Sequence, residues 1–179
     1  MGKTRGYDWW LKIIMNRLIL ILFLITAFFS SCKFNPNLQG KGADFLQGVW
    51  HEDSVSYRAD LLQYTTHQFK FTCDSFYVTL NTFAKTNIYP DSCFNEGRWT
   101  EYAKGNYTVR NDSLHIYGTF TKPNFKQKIS GCYRIGQYLE TFIIKENSAE
   151  SIELMSLKQH LPLKLALKEK ITCIQKPLN

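Results

Sequence analysis

The chain lacks several features that would assign it quickly to a functional class. Its longest uncharged apolar stretch, residues 18–29, has twelve residues, whereas a membrane-spanning helix needs about 20. No C-x-x-C pair occurs, which excludes a zinc ribbon and a dithiol redox motif. The G-x-S-x-G elbow of serine hydrolases is also missing. The sequence therefore has the signature of none of these classes, and its class must be argued from the features that are present.

The amino-terminal part of the sequence has the pattern of an export signal. The stretch Leu18–Phe29 (LILILFLITAFF) follows a positively charged flank and precedes small residues, as in a secretory signal peptide. We therefore predict a signal peptide over residues 1–31. Met15 begins a compact version of the same signal, so Met1 and Met15 are both candidate starts. The alternative is an uncleaved anchor that reaches back to Trp9, although Lys12 and Arg17 interrupt it.

The positive charge of the chain is concentrated in this signal. The whole sequence carries 22 basic and 15 acidic residues, a net charge of +7. Residues 1–31 hold four of the basic residues and one of the acidic ones, so about +4 remains on the rest. The remaining Lys and Arg residues form no tract, which argues against a nucleic-acid partner.

The residues that follow the apolar stretch resemble a known processing site. Ser30-Ser31-Cys32 is similar to the lipobox of bacterial lipoproteins, with Phe29 where that family usually has Leu. The resemblance implies cleavage before Cys32, diacylglycerol on its thiol, and a membrane partner reached through this lipid. Residues 32–44 contain Pro and Gly and are predicted to be a flexible tether. Lys33 and its neighbours carry no retention or surface-export acid, which implies the periplasmic face of the outer membrane.

Four cysteines remain after Cys32. An even number in an exported chain favours two disulfides. We expect Cys73–Cys93 and Cys132–Cys173, because the first pair closes a short segment. The alternative is that some of the four are buried free thiols.

Residues 45–179 show the alternation of a β domain. Apolar residues occur at every second position in the segments 69–80, 107–120, 129–135, 152–154 and 161–167, which is the period of strands with one buried face. Pro162 favours a strand over a helix in the last segment. Eight or nine strands at roughly ten-residue spacing indicate an all-β, antiparallel up-and-down barrel, or alternatively a sandwich.

The first strand contains a motif that resembles the lipocalins. Gly48-Val49-Trp50 is similar to the Gly-x-Trp that opens lipocalin-like barrels, and residues 105–116 are similar to the central hairpin of bacterial lipocalin-like lipoproteins. The resemblance implies that Trp50 closes one end of the barrel and that Gly48 allows the preceding turn to pass close by. In that family an Arg of the last strand usually stacks on the Trp. This chain has Lys168 there, and Arg134 is the expected substitute.

The whole chain also resembles small envelope lipoproteins of Bacteroidetes-type bacteria, some of which carry a fumarate hydratase label. The residues do not support that chemistry. Its cysteines are too far apart to surround an iron–sulfur cluster, and no Ser-rich catalytic loop is present. We therefore predict a protein that is not an enzyme and has no cofactor.

The sequence leaves the binding function open. His51, Glu52 and Asp53 form the one dense polar cluster, and a metal site would need His67, His115 or His160 to join it; we predict a solvated strand end instead, with no metal. The preferred hypothesis is a barrel that binds a small apolar or amphipathic ligand. The alternatives are a protein-interaction module, with residues 86–96 including Tyr89, Pro90 and Phe94 as its contact surface, and an enzyme whose residues cannot be named. A barrel filled by Trp50, Phe71, Phe76 and Trp99 would exclude a ligand.

Overall fold

The computed structural model describes residues 10–21 and 38–178, which belong to two separate units. Residues 10–21 are helical. In the described part of the chain, no helix has both the length and the apolar character that a membrane crossing requires. Cys32, most of the predicted signal and residues 32–37 of the predicted tether lie outside the described residues.

The unit Leu38–Leu178 is an eight-stranded closed barrel. Each strand pairs antiparallel with the next one in the chain, and the last strand pairs with the first. The prediction of an all-β, antiparallel up-and-down barrel is confirmed, with eight strands rather than nine and without a sandwich. The strands are β1 (Gly48–Glu52), β2 (Gln63–Thr72), β3 (Ser75–Ala84), β4 (Arg98–Arg110), β5 (Ser113–Thr121), β6 (Gln137–Asn147), β7 (Ser151–Ser156) and β8 (Pro162–Lys170).

Alternation along the strands determines which side chains enter the barrel. On β3, Phe76, Val78 and Leu80 are buried, while the residues between them are partly exposed. The segment 161–167 is indeed a strand, and its Leu163 and Leu165 are buried. The core that these inward positions form is predominantly aromatic and aliphatic, and its burial is the main force that holds the barrel together.

Facing glycines allow two strands to approach closely. Gly105 on β4 pairs with Gly118 on β5. A Cβ added to Gly105 would lie 2.1 Å from the carbonyl oxygen of Tyr117, and one added to Gly118 would lie 2.7 Å from the ring of Phe76. A side chain at either position would therefore push the strands apart or displace the core.

The strand connections divide the barrel into two different ends. Turns at residues 73–74, 111–112 and 148–150 join strands at one end, which the segments 38–47 and 171–178 also reach; we call it the closed end. Longer loops at 53–62, 85–97, 122–136 and 157–161 join strands at the other end, which we call the mouth. Asn111 has a positive φ of 54° in the Asn111-Asp112 turn, a conformation that Asn tolerates well.

The strand predicted around residues 129–135 is absent. These residues form part of the 122–136 loop, where Ile129 is 74% exposed and Ile135 is 52% exposed. Gly131, Tyr133 and Gly136 adopt positive φ angles, which a strand does not accommodate. The alternation was real in the sequence, but its apolar side chains do not enter the core.

Two disulfides are present, as predicted, but the expected pairing is wrong. Cys73 is bonded to Cys173, and Cys93 is bonded to Cys132, with Cα–Cα distances of 4.8 and 5.5 Å. Cys73 lies in a turn at the closed end, which the carboxy-terminal segment also reaches, whereas Cys93 and Cys132 lie in two mouth loops. The expected Cys73–Cys93 pair would have joined opposite ends of the barrel.

Candidate functional site

The closed end is sealed by a buried tryptophan and a polar network. Trp50 is fully buried, and its Nε1 donates to the carbonyl oxygen of Leu46 at 2.7 Å. Gln47 accepts from the backbone N–H of Cys73 at 2.6 Å, and its Nε2 donates to the Cys73 carbonyl at 2.9 Å. The Tyr107 hydroxyl donates to the same carbonyl at 2.7 Å and accepts from the Ala43 N–H. The buried polar side chains of Trp50, Gln47 and Tyr107 are therefore hydrogen-bonded within the protein.

Gly48 contributes to this closure by permitting contact between β1 and β8. A Cβ added at position 48 would lie 2.7 Å from the carbonyl oxygen of Glu169 and 2.6 Å from the side chain of Leu167. Lys168 points elsewhere, since its Nζ pairs with the Asp53 carboxylate at 2.8 Å in an exposed ion pair.

The prediction that Arg134 stacks on Trp50 is wrong, because the structure places Arg134 at the mouth of the barrel. Its guanidinium lies over the ring of Phe120, 4.8 Å from the centroid. Its Nη2 pairs with Oε2 of Glu101 at 2.7 Å, and its Nε lies 3.1 Å from both Glu101 oxygens. Arg134 therefore does not make the stacking contact with Trp50 that the resemblance implied; it forms an ion pair at the opposite end of the barrel.

Large side chains fill the closed half of the barrel, and a cavity remains at the mouth. Trp50, Phe69, Phe71 and Phe76 are fully buried in the core. The mouth cavity has a volume of about 230 Å³. Trp99, one of the four residues that would together exclude a ligand, packs against Tyr89 and Tyr133 of the 85–97 and 122–136 loops, so the interior is only partly filled.

The mouth cavity has a mixed lining. Its walls come from β1, β2, β3, β6, β7 and β8 and from the mouth loops. The apolar part includes Leu61, Leu80, Phe142 and Leu163, and the charged or polar part includes Glu52, His67, Arg134, Tyr138 and Glu140. Such a lining suits a ligand that has both an apolar body and a polar group.

Glu52 and His67 form a hydrogen-bonded pair in the cavity wall. Oε2 of Glu52 lies 2.8 Å from Nδ1 of His67 and accepts from the His67 backbone N–H at 3.0 Å. The Glu52 side chain is only 4% exposed. Two contacts from one residue therefore hold this carboxylate in a fixed orientation.

Burial also perturbs the phenol of Tyr138 in the cavity wall. Loss of solvent raises the pKa of Tyr138 well above its ordinary value, and the nearby carboxylate of Glu140 raises it further. The raised pKa keeps Tyr138 a neutral hydrogen-bonding group throughout the physiological range.

A disulfide and a cluster of aromatic rings join two of the mouth loops. The Cys93–Cys132 disulfide links the 85–97 loop to the 122–136 loop, and the Tyr133 hydroxyl donates to the Cys93 carbonyl at 2.6 Å. The Tyr133 ring stacks on Trp99 at 5.3 Å, with Tyr89 edge-on to both rings. This arrangement holds Arg134, the next residue, over Glu101.

The polar cluster of the first strand is divided between the two faces of the barrel. Of the candidate ligands, Glu52 and His67 come together, whereas His51 lies on the outer wall and Asp53 pairs with Lys168. His115 contacts Thr141 at 3.4 Å, and His160 is exposed in a mouth loop. Within the described residues, no three His, Cys, Asp or Glu side chains converge as metal ligands.

Two functional residues, Glu101 and Glu140, were not identified from the sequence. Each occupies an inward position, Glu101 between buried Trp99 and Ala103 and Glu140 between buried Tyr138 and Phe142. A charged residue in the inward register of a strand was the signal that could have revealed both.

The fold defines the class of this protein as a closed eight-stranded antiparallel barrel, which is compatible with a lipocalin-like architecture. No protein-family model, curated protein or solved structure matches the chain.

Proposed function

We propose that this protein is a lipid-anchored cell-envelope lipoprotein whose barrel binds a small amphipathic ligand at its mouth. The observation that carries the binding role is the mouth cavity, which is open at one end and has a partly apolar and partly charged lining. The binding role requires no catalytic group, and that the protein is not an enzyme stays a prediction.

The size of the cavity limits the ligand. Most small-molecule sites have volumes of about 300–1,000 Å³, and the mouth cavity has about 230 Å³. It is equivalent to about eight water molecules at ~30 Å³ each. A long fatty acid would therefore not fit wholly inside, whereas a small amphipathic molecule or one end of a larger one would.

The anchoring role rests on the sequence around Cys32. The apolar stretch Leu18–Phe29 and the lipobox-like Ser30-Ser31-Cys32 support it. Leu38, which bridges to Pro177, is six positions after Cys32, so an extended tether reaches at most about 22 Å. A lipid on Cys32 would hold the closed end near the membrane and leave the mouth available from the periplasm.

A second candidate function is protein interaction through the mouth loops. It is supported by exposed apolar side chains on four mouth loops: Leu62, Ile88, Ile129, Ile135 and Leu157 are between 48% and 74% exposed. Tyr89, part of the predicted contact surface, is instead packed against Trp99 and Tyr133. An envelope protein is the partner that this alternative requires.

Two measurements test the proposal. Mass analysis of the chain isolated from membranes should show a mature protein beginning at an acylated Cys32, and Cys32→Ala should abolish both processing and acylation. Solvent extraction of the folded protein, followed by mass spectrometry, should release one small amphipathic molecule per chain. An unprocessed, unlipidated chain would contradict the anchoring role, and a consistently empty barrel would favour the interaction module.

A further inference from the structure

The interior of the mouth has the opposite charge to the protein as a whole. The chain has a net charge of +7, yet the mouth halves of β1, β4 and β6 each place a glutamate at an inward position: Glu52, Glu101 and Glu140. The inward positions of the strands include no Lys or Arg in the described barrel. An acidic interior in a basic protein points to a ligand of positive charge.

The two cations that reach this region are already engaged. Arg134 makes three side-chain hydrogen bonds to Glu101, whose side chain is 3% exposed. Lys158 lies 3.2 Å from Glu140, but its side chain is 61% exposed and is therefore a weak partner. An incoming anion would have to compete with Glu101 for Arg134, whereas an incoming cation would meet Glu52 and Glu140.

Glu52 retains an oxygen that can accept further hydrogen bonds. Both contacts from His67 are made to Oε2, and Oε1 has no hydrogen-bond donor among the described residues. The side chain is nonetheless 96% removed from solvent and belongs to the cavity wall. A carboxylate held by one oxygen leaves the other in place for a charge-assisted hydrogen bond.

We propose that the mouth cavity recognises a protonated amine on its amphipathic ligand, with Glu52 as the principal partner and Glu140 as the second. The apolar body of the ligand lies against Leu61, Leu80, Phe142 and Leu163. This inference rests on the proposed binding function and adds the chemical class of the ligand.

Three probes of the same shape and different charge test the assignment. Phenethylamine, phenethyl alcohol and phenylacetate share one aromatic body and carry positive, zero and negative charge at neutral pH. We would titrate each into the full chain, purified in a non-ionic detergent, by isothermal calorimetry. The amine should bind at least about tenfold more tightly than the alcohol, because a hydrogen bond to a charged group is stronger than a neutral one.

Matched variants locate the interaction. Glu52→Gln should weaken amine binding about tenfold and leave alcohol binding unchanged. Glu153→Gln, which alters a glutamate paired with exposed Lys164 outside the cavity, should change neither. If Glu52→Gln does not fold, Glu140→Gln should still weaken amine binding about threefold, and an unchanged affinity would overturn the assignment.

The outcomes distinguish this inference from the proposed function. Binding of the alcohol or phenylacetate as tightly as the amine would overturn the charge preference and leave the cavity as a binding site. Failure of all three probes to bind would overturn both the charge preference and the assignment of the cavity as a binding site.

Discussion

Replacement of Gln47 by leucine should destabilise the closed end more than its small change in size suggests. The Gln47 side chain is the acceptor for the backbone N–H of Cys73, at 2.6 Å, and its Nε2 lies 2.9 Å from the Tyr107 hydroxyl oxygen. Leucine has a similar volume but no polar atoms. The substitution would leave the Cys73 N–H buried without an acceptor, whereas the Cys73 carbonyl would keep its bond from Tyr107.

The magnitude follows from these contacts. A buried unsatisfied donor costs about 1–3 kcal/mol, and a lost neutral hydrogen bond costs about 1 kcal/mol. We therefore expect Gln47→Leu to lower the free energy of unfolding by about 2–4 kcal/mol. Tyr107→Phe removes one donor from a carbonyl that Gln47 still satisfies and the acceptor of the part-buried Ala43 N–H, and it should cost about 1–2 kcal/mol.

Urea denaturation with both disulfides intact measures these differences. Gln68→Leu, an exposed glutamine on the neighbouring strand β2, is the control and should change stability by no more than about 0.5 kcal/mol. The double variant should show coupling between Gln47 and Tyr107. A loss from Gln47→Leu as small as that of the control would refute the argument that this network seals the barrel.

Three further predictions concern the disulfides, the mouth ion pair and pH. Proteolysis without reductant should release linked peptides containing Cys73 with Cys173 and Cys93 with Cys132, and any other linkage would contradict the fold. Arg134→Ala should lower the free energy of unfolding by about 2 kcal/mol. The loss is smaller than for a wholly buried ion pair because the Arg134 side chain is 47% exposed. Trp50, at the other end of the barrel, should keep its burial as measured by fluorescence quenching. Because the pKa of Tyr138 is raised in the folded state, the unfolded chain loses the phenol proton first as pH rises, and the free energy of unfolding should fall above about pH 10. Tyr138→Phe should reduce that fall. An identical pH profile for the variant would contradict this prediction.

The barrel was predictable from sequence because its strands bury one face. Residues such as Phe76, Val78 and Leu80 alternate strictly, and the hairpin of β4 and β5 has a recognisable Asn111-Asp112 turn. Pro162 and strict alternation correctly favoured a strand where Leu, Lys and Ala would suit a helix. The same rule failed for Ile129–Ile135, since periodicity alone does not show whether an apolar side chain has a core to enter.

The site was less predictable because it depends on contacts between distant parts of the chain. The disulfide partners are 100 and 39 residues apart, and only the up-and-down topology shows which cysteines share an end. Arg134 was identified as important, but its partner Glu101 is 33 residues away and follows from the path of the 122–136 loop. Glu52 belongs to a polar cluster that is visible in the sequence. Its separation from His51 and Asp53 could be predicted only from the register of β1.

Occupancy of the mouth cavity tests the central claim most directly. Leu80→Trp would place a larger ring at a buried position in the cavity wall, and Leu139→Trp would place the same ring on β6 where the leucine is 43% exposed. Native mass spectrometry of the detergent-released full chain should show a small bound molecule on the unmodified protein and on Leu139→Trp, and little or none on folded Leu80→Trp. Equal occupancy in all three proteins would contradict the mouth cavity as the binding site.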